Sequence, residues 1–221
     1  MTIIYRCKIE LHDSLYYATR EIGRLYETEA ILHNYALCYA LGLVNSDSYR
    51  YFCREQVPQY EEHLTPLNKQ GIYLTPARAT SYAAVLNTWK YANNNYHVEM
   101  EKTQKNIPSF GRAKEIAPES EFEFFLLTEK NLKLPHWIRL GKWLSKAEVT
   151  VTELNKPQLK EGLFTVSYPL NPLDVMFTHQ VISYDVVNMP PVSLILNTKI
   201  QGEYYQVDGV QLPARMKYRF S

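Results

Sequence analysis

Cysteine is scarce in this sequence. Cys7, Cys38 and Cys53 are the only three, an odd number with no close pair. That excludes a disulfide framework of the secreted kind and fits a reducing compartment. No CxxC occurs, and the six histidines lack metal-ligand spacing, so no metal site is expected. GxxxxGK[ST], GxGxxG and GxSxG are absent, and no carboxylate pair stands in supporting context. Small-molecule enzymology therefore has little to rest on, and no cofactor is expected. The opening TIIYRCKIELH lacks the charged-then-apolar layout of a secretory leader. The longest uncharged run, residues 30–46, stops short of the ~20 apolar residues that span a bilayer. It also carries His33, Asn34 and Asn45. The expectation is a cytoplasmic protein with no membrane partner. There is no internal repeat and no low-complexity tract.

Charge of one sign is also missing. The formal net charge is +1 over 221 residues, so no global basic field advertises a nucleic acid. Any such site must come from local clustering of Lys and Arg. What the chain does have is apolar surface, 46% against 21% charged, enough for a folded core. It also has 18 tyrosines against 8 phenylalanines. Tyrosine joins a flat face to a hydroxyl, which suits interfaces and base recognition. A tyrosine-rich β core accounts for most of them whichever function holds.

Residues 3–11 alternate, with Ile3, Tyr5, Cys7, Ile9 and Leu11 on one side, and predict a half-buried strand. Residues 13–24 have no clean period and read as a loop. A helix is expected from Thr28, its N-cap, with Glu29 in the first turn and Gly42 as the stop. Residues 46–68 are polar, with a short helix broken near Pro58. Residues 71–76 read as a short strand or extended segment, 82–91 as strand or helix with the balance toward strand, and strands are expected over 122–128 and 147–154. Between them Asn93-Asn94-Asn95 opens a polar excursion that ends near Ser120. The last third is β-rich, over 163–168, 181–187 and 192–200. Asp208-Gly209 signals a hairpin between 204–207 and 210–212. The fold class expected is α+β: a first part over residues 1–155 and a smaller, mostly antiparallel β part over 156–221.

Residues 102–114 contain Lys102, Lys105, Arg112 and Lys114 with no acid. Residues 130–146 contain Lys130, Lys133, Arg139, Lys142 and Lys146, again with no acid, and interleave Trp137 and Trp143. Arg215, Lys217 and Arg219 surround Tyr218 near the end. Cations that track phosphates beside rings that stack on bases suit single-stranded RNA. Singly, each segment reads as well as a solvated face; three together tilt toward RNA. The loop DSLYYATREIGR adds Tyr16, Tyr17, Arg20 and Arg24 beside Gly23, after the first strand, where a rigid sheet positions binding groups. Against that, Tyr16 and Tyr17 can pack, and Arg20 can pair with Glu21 or Glu27. For catalysis, His33 is the candidate, since a metal-independent ribonuclease needs a base or acid near neutral pH. It lies in an apolar-periodic stretch, where a core or capping histidine is commoner. His97 is a second candidate with no more support.

YRCKIELHDSLYYATREIGRLYETEAILHNYALCYALGL, GIYLTPAR, LPHWIRLGKWLSKAEV and PPVSLILNTKIQGEYY resemble the backbone-capping subunit of type I-D CRISPR complexes, in the Cas-five family of RAMP proteins. The resemblance runs through most of the chain and is most specific over residues 5–43. It implies a ferredoxin-like (RRM-type) domain with an inserted arm, at about 93–120 here, and a smaller β-rich C-terminal part. It implies a non-catalytic subunit that binds the crRNA 5′ handle and caps the Cascade backbone filament. It further implies contact with the large subunit near the PAM-proximal end, and leaves target DNA there as a further partner. The family's glycine-containing basic loop is matched by Leu140-Gly141-Lys142 after Arg139. On that pattern Gly141 would let the backbone approach RNA phosphates. Two alternatives stay open: an endoribonuclease acting on repeat RNA, with His33 as its catalytic residue, and a scaffold subunit that contacts proteins only.

Overall fold

The computed structural model describes residues 2–44, 58–91 and 109–220. The first strand, β1 (Ile3–Leu11), sits inside the largest sheet, with Cys7, Ile9 and Leu11 buried and Lys8 and Glu10 exposed. Two short strands, β2 (Arg20–Ile22) and β3 (Leu25–Glu27), follow, then β4 (Ile31–Leu32). Helices α1 (Asn34–Ala40) and α2 (Tyr60–Lys69) precede β5 (Ile72–Leu74) and β6 (Ala77–Ser81). Next come β7 (Ala84–Tyr91), β8 (Ser109–Ile116), β9 (Glu121–Thr128), β10 (Trp137–Leu140) and β11 (Ser145–Leu154). The last third holds β12 (Gln158–Val166), α3 (Pro172–Val175), β13 (Gln180–Val187), β14 (Leu194–Val207) and β15 (Val210–Pro213).

Three sheets result. The largest runs β10-β11-β1-β9-β6-β4, with β5 also on β9. Its pairs are all antiparallel, so β1 and β5 run parallel with β9 between them. Helices α1 and α2 lie in that crossover, a split βαβ arrangement. The second sheet runs β12-β14-β13 with β15 added to β14, and the third runs β2-β3-β8-β7. β9 is buried on both sides, and Phe125 meets Tyr168 with ring centroids 5.2 Å apart. One hydrophobic cluster therefore holds residues of the first and second sheets together, from Ile4 to Tyr218. Described helices are short and none is long and apolar enough to cross a membrane.

Among the described residues the structure is mostly β, with helices of seven, ten and four residues, less helix than the expected α+β class suggested. The helix expected from Thr28 begins instead at Asn34, capped by His33. Thr28 is committed elsewhere, its amide to the Lys114 carbonyl and its hydroxyl to that of Tyr17. That pairing holds residues 28–32 extended, and tertiary bonds override the capping signal. The expected loop over 13–24 contains β2 and leads into its hairpin with β3. Residues 192–200 and 204–207, expected as two strands, are covered by a single β14 that starts at Leu194 and passes through Gly202. The polar excursion from Asn93 is not featureless. Residues 109–116 form β8, paired with β7 along its whole length. The stretch 93–108 lies outside the described residues.

A polar knot ties the ends of the chain to the helices. Asp174, on α3, is buried and accepts from the Asn34 amide (3.0 Å), the Tyr73 hydroxyl (2.9 Å) and the Arg219 backbone N–H (3.0 Å). The tail after β15 has no regular structure, so its backbone groups need side-chain partners. Asn68 supplies two, accepting from Tyr218 N–H at 2.9 Å and donating to its carbonyl at 2.9 Å. The Tyr218 hydroxyl in turn accepts from Leu74 N–H at 2.9 Å.

Burial pushes the Asp174 carboxyl up to about 7, against the three donors and the Arg219 charge that favour ionisation. Its folded value lies above that of an unfolded aspartate, near ~3.9. The stability it contributes is therefore full below pH ~4 and lost as pH rises to about 7. Urea denaturation of the wild type and Asp174→Asn at several pH values tests this. The difference in unfolding free energy, wild type minus variant, should fall from pH 4 to pH 7. Asp174→Ala leaves three donors unmatched and should cost about 3–5 kcal/mol.

Candidate nucleic-acid interface

The turn between β10 and β11, residues 141–144, docks on the loop that follows β1. Lys142 N–H donates to Tyr16 O at 2.9 Å. Ser145 Oγ donates to Ser14 O at 2.5 Å, and Lys146 N–H to Asp13 Oδ2 at 2.8 Å. His12 N–H reaches Lys146 O at 2.9 Å. On its other side the loop is tied to β8, where Leu15 and Ile116 exchange backbone bonds of 2.8 and 3.0 Å. The loop is thus held between the large sheet and the third sheet.

Gly141 makes this docking possible. Its φ is +69°, and a Cβ there would lie 2.6 Å from Tyr16 O and 2.7 Å from Leu15 Cδ1. The close approach that the glycine allows is to the chain's own backbone at Tyr16. Its neighbours Arg139 and Lys142 are left on the surface.

Around the docked turn lies a layer of rings and cations. Tyr16 stacks on Trp143 at a centroid distance of 4.8 Å, tilted by 31°. Lys146 Nζ sits 3.9 Å above the Trp137 ring, a cation–π contact. His12 and His136 meet Trp137 edge-on at 5.0 and 5.2 Å, and both reach Glu148, at 3.4 and 3.1 Å. Trp137, Trp143 and Leu144 are 43%, 46% and 57% exposed, unusual for large apolar side chains. The Arg139 guanidinium is well exposed; it donates to Leu144 O at 3.1 Å and lies 3.8 Å from Asp13. Tyr16, Arg139, Gly141, Lys142 and Lys146, five of the residues the sequence singled out, come together here. Sequence reasoning passed over His12 and His136; the basic segment around His136 was the one available signal.

The other expected site residues gather at the base of the third sheet. Tyr17 turns inward, its hydroxyl donating to Glu29 O at 2.7 Å and to Ile31 O. Arg20 pairs with Glu27 at 2.7 Å and Glu29 at 2.5 Å, and Lys114 with Glu27 at 2.9 Å. These bonds from Lys114 and Arg20 hold the Glu27 carboxyl below the usual range. Arg24 lies in the β2–β3 turn, and its carbonyl accepts from Arg112 N–H of β8 at 2.8 Å. Lys105 and His97 lie outside the described residues.

His33 is 4% exposed, and both ring nitrogens are engaged. Nδ1 accepts from Tyr35 N–H at 3.2 Å, which leaves Nε2 to donate to Val192 O at 3.2 Å. Burial lowers its pKa to about 4, so it is neutral at pH 7. Here it serves as a helix cap. Among the described residues no three His, Cys, Asp or Glu side chains gather as metal ligands would.

Two substitutions test this account. Gly141→Ala should destabilise the chain by about 1–2 kcal/mol through left-handed strain alone. Amide exchange at Lys142 should also accelerate, because the added methyl forces the turn off Tyr16. For His33, the folded pKa is depressed below the unfolded ~6.5. Its contribution is full above pH ~6.5 and lost as pH falls toward about 4. The urea stability of wild type minus His33→Asn should therefore rise from pH 4 to 6.5, opposite in sign to the Asp174 effect.

A family model described as type I-D CRISPR-associated protein Cas5/Csc1 matches residues 2–221. No curated protein matches the sequence. Among solved structures, a chain of a type III-B Cmr-beta complex bound to cognate target RNA and AMPPnP is similar at 12% identity. That likeness covers 89% of this chain and 86% of the other, with a TM-score of 0.48. With the family model spanning residues 2–221, the chain belongs to the type I-D CRISPR-associated Cas5/Csc1 family.

Proposed function

We propose that this chain is a non-catalytic, RNA-binding subunit of a type I-D CRISPR interference complex, and that it grips the 5′ handle of the crRNA. The observation that carries this reading is the docked β10–β11 turn. It collects Tyr16, Trp137 and Trp143 with Arg139, Lys142 and Lys146 on one surface, although the two segments lie far apart in sequence. Rings that stack on splayed bases and cations that track phosphates are what single-stranded RNA needs. Spacer sequence is read by base pairing, so such a subunit has only to hold backbone and handle.

In this reading the large sheet is a ferredoxin-like RAMP domain. Its order β11-β1-β9-β5, with α1 and α2 in the first crossover, supports that, and the second helix of such a fold is replaced by the segment that bears β10. Strands β7 and β8 form the base of the inserted arm, with Arg20, Arg24, Arg112 and Lys114 at its foot. The chain then caps the backbone filament and adjoins the large subunit near the PAM-proximal end, in a complex that acts in the cytoplasm. No general acid or base is assigned, because His33 is spent as a cap.

The test is a gel assay of purified protein with end-labelled repeat-containing RNA in EDTA across a salt series. Retention should fall as salt rises, with no shorter products. Arg139→Ala/Lys142→Ala should weaken binding about tenfold and flatten the salt slope by about 1.4, at ~0.7 per phosphate on a single strand. Both side chains are exposed, so the fold should persist. Unchanged affinity in the folded double variant would sink the site. Discrete cleavage lost in His33→Ala would replace this reading with an endoribonuclease, and salt-insensitive failure to retain RNA would favour a protein-only scaffold.

A further inference from the structure

Beside the platform lies a cleft of about 480 Å³, lined by Ala40, Leu41, Gly42, Lys133, Leu134, Pro135 and Trp137. Among the described residues its lining is mainly apolar, with Lys133 the one charged side chain and no carboxylate. Trp137 belongs to both places. Lys146 Nζ covers part of its ring at 3.9 Å, yet the residue remains 43% exposed. The opposite wall is the end of α1. Gly42, at φ +68°, donates its N–H to Tyr39 O at 3.0 Å, and Leu43 N–H reaches Cys38 O at 3.0 Å. That is a Schellman motif, which satisfies two of the helix's last four carbonyls. Ala40 and Leu41 both line the cleft.

Resting on the RNA reading above, we infer that this cleft is a slot for one unstacked nucleobase of the bound RNA, stacked on Trp137 against the end of α1. The volume falls in the range of small-ligand sites. Continuity with the cation-bearing platform favours a base of the same strand over a protein side chain.

The experiment uses the purified full chain and handle RNA made abasic at one position at a time. One abasic position should weaken wild-type binding roughly five- to a hundredfold, the range of a single base–aromatic stack. Trp137→Ala should bind intact RNA as weakly and lose that positional dependence, and Trp137→Phe should restore most of it. Urea denaturation serves as the fold control, since Trp137 is a surface side chain. Wild-type binding with no sensitive position, or sensitivity that persists in Trp137→Ala, overturns the slot and leaves the handle reading standing. A Trp137→Ala defect in complex assembly with RNA affinity unchanged assigns the cleft to a protein partner and also overturns it. A wild-type chain that retains no RNA overturns both readings.

Discussion

The loop that leaves β1 is pinned from two directions. Leu15 trades backbone bonds with Ile116 at the end of β8, and Tyr16 offers its carbonyl to Lys142 in the β10–β11 turn. Ser14 and Asp13 extend the second contact to Ser145 and Lys146. Everything proposed to touch RNA hangs on this clamp. The large sheet supplies the turn, the third sheet supplies β8, and the loop fixes one against the other. Gly141 is what lets the two backbones meet, because any Cβ would collide with Tyr16 O. The clamp also spends the backbone groups of the turn internally, so its side chains are presented from an ordered base. A surface ordered before binding loses less entropy when a ligand arrives.

Deeper in the molecule, two buried titratable groups oppose each other across the acidic range. Asp174 is raised to about 7 and His33 lowered to about 4, both chiefly by burial. The first favours folding most at low pH and the second at neutral pH. Each is a connector. Asp174 joins α1, β5 and the C-terminal tail, while His33 joins the start of α1 to the segment before β14. A histidine drawn into that role is poorly placed to move protons for a substrate, which is why burial counts against catalysis here.

Much of the large sheet is legible in the sequence because period two survives there. β1 alternates cleanly, and in the second sheet the Asp208-Gly209 turn marks the β14–β15 hairpin, with positive φ at both residues. Local signals fail where a distant partner claims the same group. Thr28 looks like a helix cap, but its hydroxyl donates to Tyr17 O and its amide to Lys114 O. β2 and β3 span three residues each, too short for any period to show. Of the site, the cations and rings of residues 130–146 stand out by composition alone. That they meet Tyr16 is invisible, since it depends on the register that sets Leu11 opposite Ala147.

The same distance between composition and placement governs the charges. Arg20 and Lys114 read as RNA contacts in the sequence, yet they face Glu27 and Glu29 and largely cancel them. An arginine already held by two carboxylates must lose those contacts before it can serve a phosphate, and the gain is correspondingly small. Arg139 differs: its carboxylate neighbour, Asp13, is 3.8 Å away and itself bound to the Lys146 amide. Lys146 lies over an indole ring, which orients the ammonium, and it forms no ion pair among the described residues. A chain with a net charge of +1 can therefore present a positive surface only where its acids are busy elsewhere. The third sheet is where Glu27 and Glu29 are occupied, while at the β10–β11 turn Arg139 and Lys142 stand exposed.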